Sequence, residues 1–137
     1  MGNLIVDILI ESTIVFEQDL SGLEADVNVA VMESVNNYVR LFPDQKQFAY
    51  DGLKRLPLRS QLNGYESSLY VLKVSEKLSI ILAVDEDPIF NQLIITLFRA
   101  VKYDKLNRAY QTVAESLYQE LSCGDRGIVQ PEIAQAA

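Results

Sequence analysis

The residues able to carry chemistry in this chain are cations and phenols. Lys54, Arg55 and Arg59 fall in one loop, Lys73 interrupts the apolar run "YVLKV", Arg99 follows "LIITLF", and Tyr103 comes four residues later. There is no histidine, which removes Ser-His-Asp and Cys-His nucleophilic catalysis and the common histidine-carboxylate metal sites. Several cations and a phenol can still stabilise a phosphorane-like transition state, such as forms when a 2′-hydroxyl attacks its own phosphodiester in RNA. A tyrosine or lysine would then move the proton, and either needs a lowered pKa to act as a base near neutrality. The competing reading is plain: a base at the end of an apolar strand carries its charge out to water.

Other candidates point to less. "DEDP" (Asp85 to Pro88) is the densest acidic cluster, but it lacks the spacing and glycine of a calcium loop and reads as a solvated turn, so no metal or cofactor is expected. Gly22, Gly52, Gly64, Gly124 and Gly127 make no phosphate-binding pattern. Cys123 is the only cysteine, so there is neither an intrachain disulfide nor a cysteine zinc site, and without histidine nothing obvious activates the thiol. Tyr65 and Tyr70 could stack on bases, although strand tyrosines more often line a core or its rim. Glu11, Glu17 and Asp19 read as solvated carboxylates.

The elements that would position these residues follow from apolar periodicity. "LIVDILI" (Leu4 to Ile10) is a short buried strand. "IVFEQDL" gives a short helix ending near Gly22, with Ser12 and Thr13 as candidate caps. Val27, Val31, Val35, Tyr38 and Phe42 continue from Leu23 at steps of three and four, a core stripe on a second helix stopped by Pro43. Residues 43–64 read as loop with a short extended piece. Three strands follow, at about 69–75, 78–85 and 92–98, joined by connections short enough for an antiparallel meander. A last helix spans about 104–121, with Tyr103, Leu106, Tyr110, Val113, Leu117 and Leu121 as its apolar stripe. The order β-α-α-β-β-β-α is an α+β domain: an antiparallel sheet packed by an N-terminal helical hairpin and a C-terminal helix. Residues 1–123 form the expected domain and 124–137 a flexible tail.

A chain of 137 residues with 49% hydrophobic and 23% charged content suits one globular domain. No apolar run is long enough for a membrane span, the start lacks a basic signal-peptide region, and the cytoplasm is the expected compartment. The net charge of −7 is uneven: −6 over residues 1–50, +2 over 51–110 and −3 over 111–137. An acidic whole disfavours non-specific binding to nucleic acid, while the middle segment leaves room for a local basic face.

The order of these pieces resembles the RelE/ParE toxin superfamily. "VDILIESTIVFEQDLSGLEADVNVAVMESVNNYV" is similar to that family's first strand, its "FEQDL"-type helix and its long second helix. "GLKRLPL", "LNGYESSLYVLKV", "LSIILAVDED" and "LIITLFRAVKY" then fall in the family's order, so the resemblance covers about Leu4 to Leu121. It implies a RelE-like fold and a ribosome-dependent endoribonuclease that cuts messenger RNA and is neutralised by an antitoxin; the ParE branch implies action on DNA gyrase instead. Lys54, Lys73, Arg99 and Tyr103 occupy positions that the resemblance makes catalytic, with Arg55 and Arg59 as RNA-binding neighbours. The implied partners are an antitoxin protein and the ribosome with its messenger, and a homodimer is carried as a further expectation. The chain departs from the pattern at Leu78 or Ser79, the place where the family's apolar strand usually begins with an arginine, and at Phe98, where it often has a histidine. The alternative reading keeps the fold without strong nuclease activity, as a protein-binding module.

Overall fold

A computed structural model describes residues 7–58 and 68–123, with side chains through residue 117. Arg59, Tyr65 and the predicted tail therefore lie outside the described residues. The element order is β1 (Asp7–Ser12), α1 (Ile14–Ser21), α2 (Ala25–Val39), α3 (Lys46–Asp51), β2 (Leu69–Lys73), β3 (Leu78–Asp87), β4 (Gln92–Lys102) and α4 (Tyr103–Cys123). The four strands make one sheet in the order β1-β4-β3-β2.

The class is α+β, but the sheet is mixed and not antiparallel throughout. β2, β3 and β4 form the expected antiparallel meander, while β1 joins β4 in parallel, Asp7 opposite Gln92 through Ser12 opposite Leu97. Short turns fix the direction of the meander. The partner of β1 is instead chosen across most of the chain, and no local pattern encodes it.

Strand alternation sends one set of side chains to each face. On the first face, Leu72, Leu78, Ile80, Leu82, Leu93, Ile95, Leu97 and Ala100 pack with Phe16 of α1, with Val31, Val35 and Tyr38 of α2, and with Ala49 of α3. On the second, Leu69, Val71, Ile81 and Val101 pack with Leu106, Ala109, Tyr110 and Ala114 of α4. The predicted stripe of the second helix is thus largely core, and so is most of that of the last helix. Tyr103 is the exception, 72% exposed at the first position of α4, and the side chain of Leu121 lies outside the described residues.

Three segments differ from expectation. β1, expected as a buried strand over residues 4–10, is described from Asp7 to Ser12 as an edge strand with no fully buried residue, and residues 4–6 lie outside the described residues. Residues 43–64 contain a helix, α3, as well as a short extended piece, in which Lys54 bridges to Val71. The third meander strand does not stop at Phe98 but runs on to Lys102 through a β-bulge. Ile81 faces Arg99 and Leu82 faces Leu97, leaving Phe98 as the extra residue. At the β3–β4 turn, the Asp87 carboxylate accepts from the backbone N–H of Ile89 at 3.0 Å and of Phe90 at 3.4 Å. Asn91 there takes φ 58°, a left-handed conformation that asparagine adopts more readily than most residues.

Candidate functional site

The bulge decides what Arg99 does. β1 ends at Ser12, opposite Leu97, so that edge of β4 has no described strand beside it beyond Leu97. The start of α1 takes that place. Thr13 donates its N–H to the Leu97 carbonyl at 3.1 Å and its hydroxyl to the carbonyl of the bulged Phe98 at 3.1 Å. The same hydroxyl accepts from the Phe16 N–H at 3.0 Å and so caps α1. One turn on, the Asp19 carboxylate accepts from the Ala100 N–H at 3.0 Å and from both ends of the Arg99 guanidinium, Nε at 2.7 Å and the terminal nitrogen at 3.1 Å.

This fork is partly buried, with 29% of the Arg99 side chain and 16% of the Asp19 side chain exposed. Arg99 therefore sits within β4, not at its end, and its charge is matched. Asp19, expected as a solvated carboxylate, is instead largely buried and paired. It lies three residues after the buried Phe16 and so shares the packed face of α1. That spacing was the signal available in the sequence.

The other cations are spread across the sheet. Lys54 and Val71 exchange both backbone hydrogen bonds, Lys54 N to Val71 O at 3.1 Å and Val71 N to Lys54 O at 2.7 Å. Register then runs from Lys54 through Val71 and Ile81 to Arg99. Three strand spacings of about 4.8 Å each put Lys54 some ~14 Å from Arg99. Val71 and Ile81, both buried in the α4 core cluster, lie between them. Lys73 is exposed two residues beyond Val71 and is the nearest candidate neighbour of Lys54, a diagonal separation of about 7 to 8 Å. Tyr103 is held by its backbone, its N–H donating to the Lys77 carbonyl at 2.9 Å. Leu78 and Ser79, where the resemblance leads one to expect an arginine, are both buried.

Arg55 turns away from Lys54, as alternation requires, and joins a network on the opposite face of the sheet. It donates to the Tyr70 hydroxyl at 2.9 Å, with its guanidinium carbon 4.8 Å from that ring's centroid. Tyr70 neighbours Tyr50 at 6.0 Å between centroids, so its ring is engaged by other side chains. Tyr50 in turn donates to Glu86 at 2.7 Å, and Lys46 donates to the other Glu86 oxygen at 2.8 Å. Edge-to-face contacts continue from Tyr50 through Phe42 to Tyr38, whose hydroxyl donates to the Ala49 carbonyl. This aromatic chain ties α2 and α3 to the sheet, and sequence reading missed it because its members come from four separate segments.

The protonation states follow from these surroundings. Hydrogen bonding from Lys46 holds the Glu86 carboxyl below its usual range, with Tyr50 helping and partial burial opposing. Asp85 keeps solvent contact over much of its surface, yet desolvation around its carboxylate raises its pKa, offset in part by the Ser68 hydroxyl. Burial pushes the phenols of Tyr38 and Tyr50 upward, and for Tyr50 the hydrogen bond to Glu86 adds to the effect. Neither phenol is thereby suited to act as a base. Among the described residues, no group of three or more histidine, cysteine or acidic side chains is arranged to hold a metal ion. No helix among them is long and apolar enough to cross a membrane.

No protein-family model, curated protein or solved structure matches the chain. The likeness to RelE/ParE toxins therefore rests on the sequence motifs quoted for it.

Proposed function

We propose that this chain is a protein-binding domain of α+β fold and not an efficient ribonuclease. The observation that carries this reading is the Arg99–Asp19 fork. The cation best placed by sequence to stabilise a phosphorane is held by a carboxylate from α1. The same carboxylate is anchored by the Ala100 N–H at 3.0 Å, which fixes it beside the guanidinium. Losing one preorganised charge donor costs a phosphoryl-type reaction roughly 3 to 4 kcal/mol, a few hundredfold in rate. Lys54 and Arg99 are further separated by buried apolar side chains, which leaves a phosphate no place to meet both.

The runner-up is the RelE-type endoribonuclease neutralised by an antitoxin. Lys54 and Lys73, exposed on one face of the β2 edge, favour it. Induced expression in a bacterial host separates the two. The binding-domain reading predicts no growth arrest and no ribosome-associated RNA cleavage by the wild-type chain, with Arg99→Ala and Tyr103→Phe behaving alike. Arrest with cleavage that both substitutions abolish would overturn it in favour of the ribonuclease.

A further inference from the structure

We infer that the open β1 edge of the sheet is the docking surface of this domain, and that its occupant is a partner protein's segment of alternating basic and apolar residues, added beside β1 as a fifth strand. This rests on the binding-domain reading above and says where, and with what chemistry, the binding occurs.

The two edges of the sheet are unequal. On the β2 side, Lys54 occupies the outer hydrogen-bonding positions of Val71. On the β1 side, no described strand lies beyond β1. Edge strands are commonly protected by charged side chains, lysine above all, by proline or by a bulge; β1, "DILIES", has neither lysine, proline nor a bulge, and its only charges are the acids Asp7 and Glu11.

Its backbone is oriented to receive a partner. Thr13 turns its N–H to β4, so by alternation Asp7, Leu9 and Glu11 also turn their backbone groups to β4. Ile8, Ile10 and Ser12 turn theirs outward. The side chains around this edge are unusually apolar for a surface. Leu9 and Ile10 are 43% and 41% exposed, and Ile14 and Val15 continue the patch onto the first turn of α1. At the other end Asp7 pairs with Gln92, beside the β3–β4 turn where Ile89 and Phe90 are 83% and 70% exposed.

Charge selects the occupant. Residues 1–39 contain seven acids and neither lysine nor arginine. Asp7 and Glu11 are exposed on one face of β1, the face they share with Leu9, while Ile8 and Ile10 lie on the other. An incoming strand that alternates basic and apolar residues matches both faces at once, since opposite charges on neighbouring strands attract. A second copy would bring a second set of acids against the first, and nucleic acid would bring phosphates.

The test is a titration of the isotope-labelled full chain, followed by backbone amide shifts. The probe is an acetylated Lys-Val-Lys-Val-Lys-Val-Lys peptide. Its controls are the Glu-Val counterpart, a block peptide of the same composition, and a version N-methylated on alternate residues. Saturable shifts over residues 7–15 and 89–93 are expected, with affinity falling about tenfold as salt rises from about 50 to about 500 mM. Little binding is expected from any control. Ile10→Pro, which removes an outward N–H at an edge position that tolerates proline, should abolish binding with thermal unfolding preserved. If that variant fails to fold, the N-methylated peptide asks the same question of the wild type.

Absent binding, shifts elsewhere, or equal binding by the N-methylated peptide or by folded Ile10→Pro would overturn the edge assignment. Equal binding by the Glu-Val peptide would overturn the charge assignment. Concentration-dependent dimerisation through residues 7–12 would make a second copy the occupant and overturn the inference too. The binding-domain reading stands or falls separately, on RNA cleavage in the expression assay.

Discussion

Asp19 carries more of the structure than its place in a short polar-looking helix suggests. It completes the unpaired stretch of β4 and neutralises Arg99 with one carboxylate. Asp19→Ala should cost about 2 to 3 kcal/mol in urea unfolding, because it strands a guanidinium and a backbone N–H together. Arg99→Met should cost less, since Asp19 keeps the Ala100 N–H, and a double-mutant cycle should return a coupling of about 1 to 2 kcal/mol. A coupling near zero would mean the fork is not formed in solution. Neighbouring carboxyls on β3 should respond to acid in opposite directions. The folded pKa of Glu86 is lowered, so its stabilising contribution is complete above about pH 5 and is lost as pH falls through the folded value. That of Asp85 is raised, so its ionised form is a liability at neutral pH that acid relieves. Glu86→Gln should therefore flatten the decline of stability below about pH 5, whereas Asp85→Asn should stabilise at pH 7 and lose that advantage as acid protonates the wild-type group. Chemical denaturation at several pH values checks both. At this scale the sequence showed which residues carry charge but not which of them meet. Arg99 and Asp19 are eighty positions apart.

Elements were more legible than partners. Period-two and period-three-to-four patterns located α1, α2, the three-strand meander and α4, because each buries a face that composition reveals, whereas β1 was located only in part and is exposed or half-buried along its described length. α3 was hidden: "KQFAYD" buries only Ala49, too little for a stripe. The parallel pairing of β1 was hidden because strand direction across a long connection leaves no local signature. The bulge at Phe98 was hidden because it replaces no residue type; it only shifts register, and with it the setting of Arg99. Thr13 is where this shift is locked, as cap of α1 and as donor to the bulged carbonyl. Thr13→Val keeps the shape and removes both hydroxyl bonds. It should lower stability by about 1 to 2 kcal/mol and speed amide exchange at residues 97–100, measurable by hydrogen exchange. Unchanged exchange there would show that the bulge is held by other contacts.

On the whole molecule, charge is sorted by element. β1, α1 and α2 carry acids alone, and the bases begin at Arg40 and gather around β2 and β4. This asymmetry was readable from composition by segment, and the fold gives it a place: an acidic, apolar strip along β1, beyond which no described strand lies. A domain built to grip RNA would offer its cations together. Here Arg99 is paired, Arg55 rests on Tyr70 across the sheet, and Lys54 is set apart from Arg99 by core residues. The most direct measurement is a paired titration of the labelled chain at low salt, with a single-stranded RNA oligonucleotide in one series and the alternating Lys-Val peptide in the other. Saturable shifts are expected along β1 with the peptide, and no saturable shift at Lys54, Lys73, Arg99 or Tyr103 with RNA. Saturable RNA binding at those four residues, with none along β1 from the peptide, would contradict the binding-domain reading.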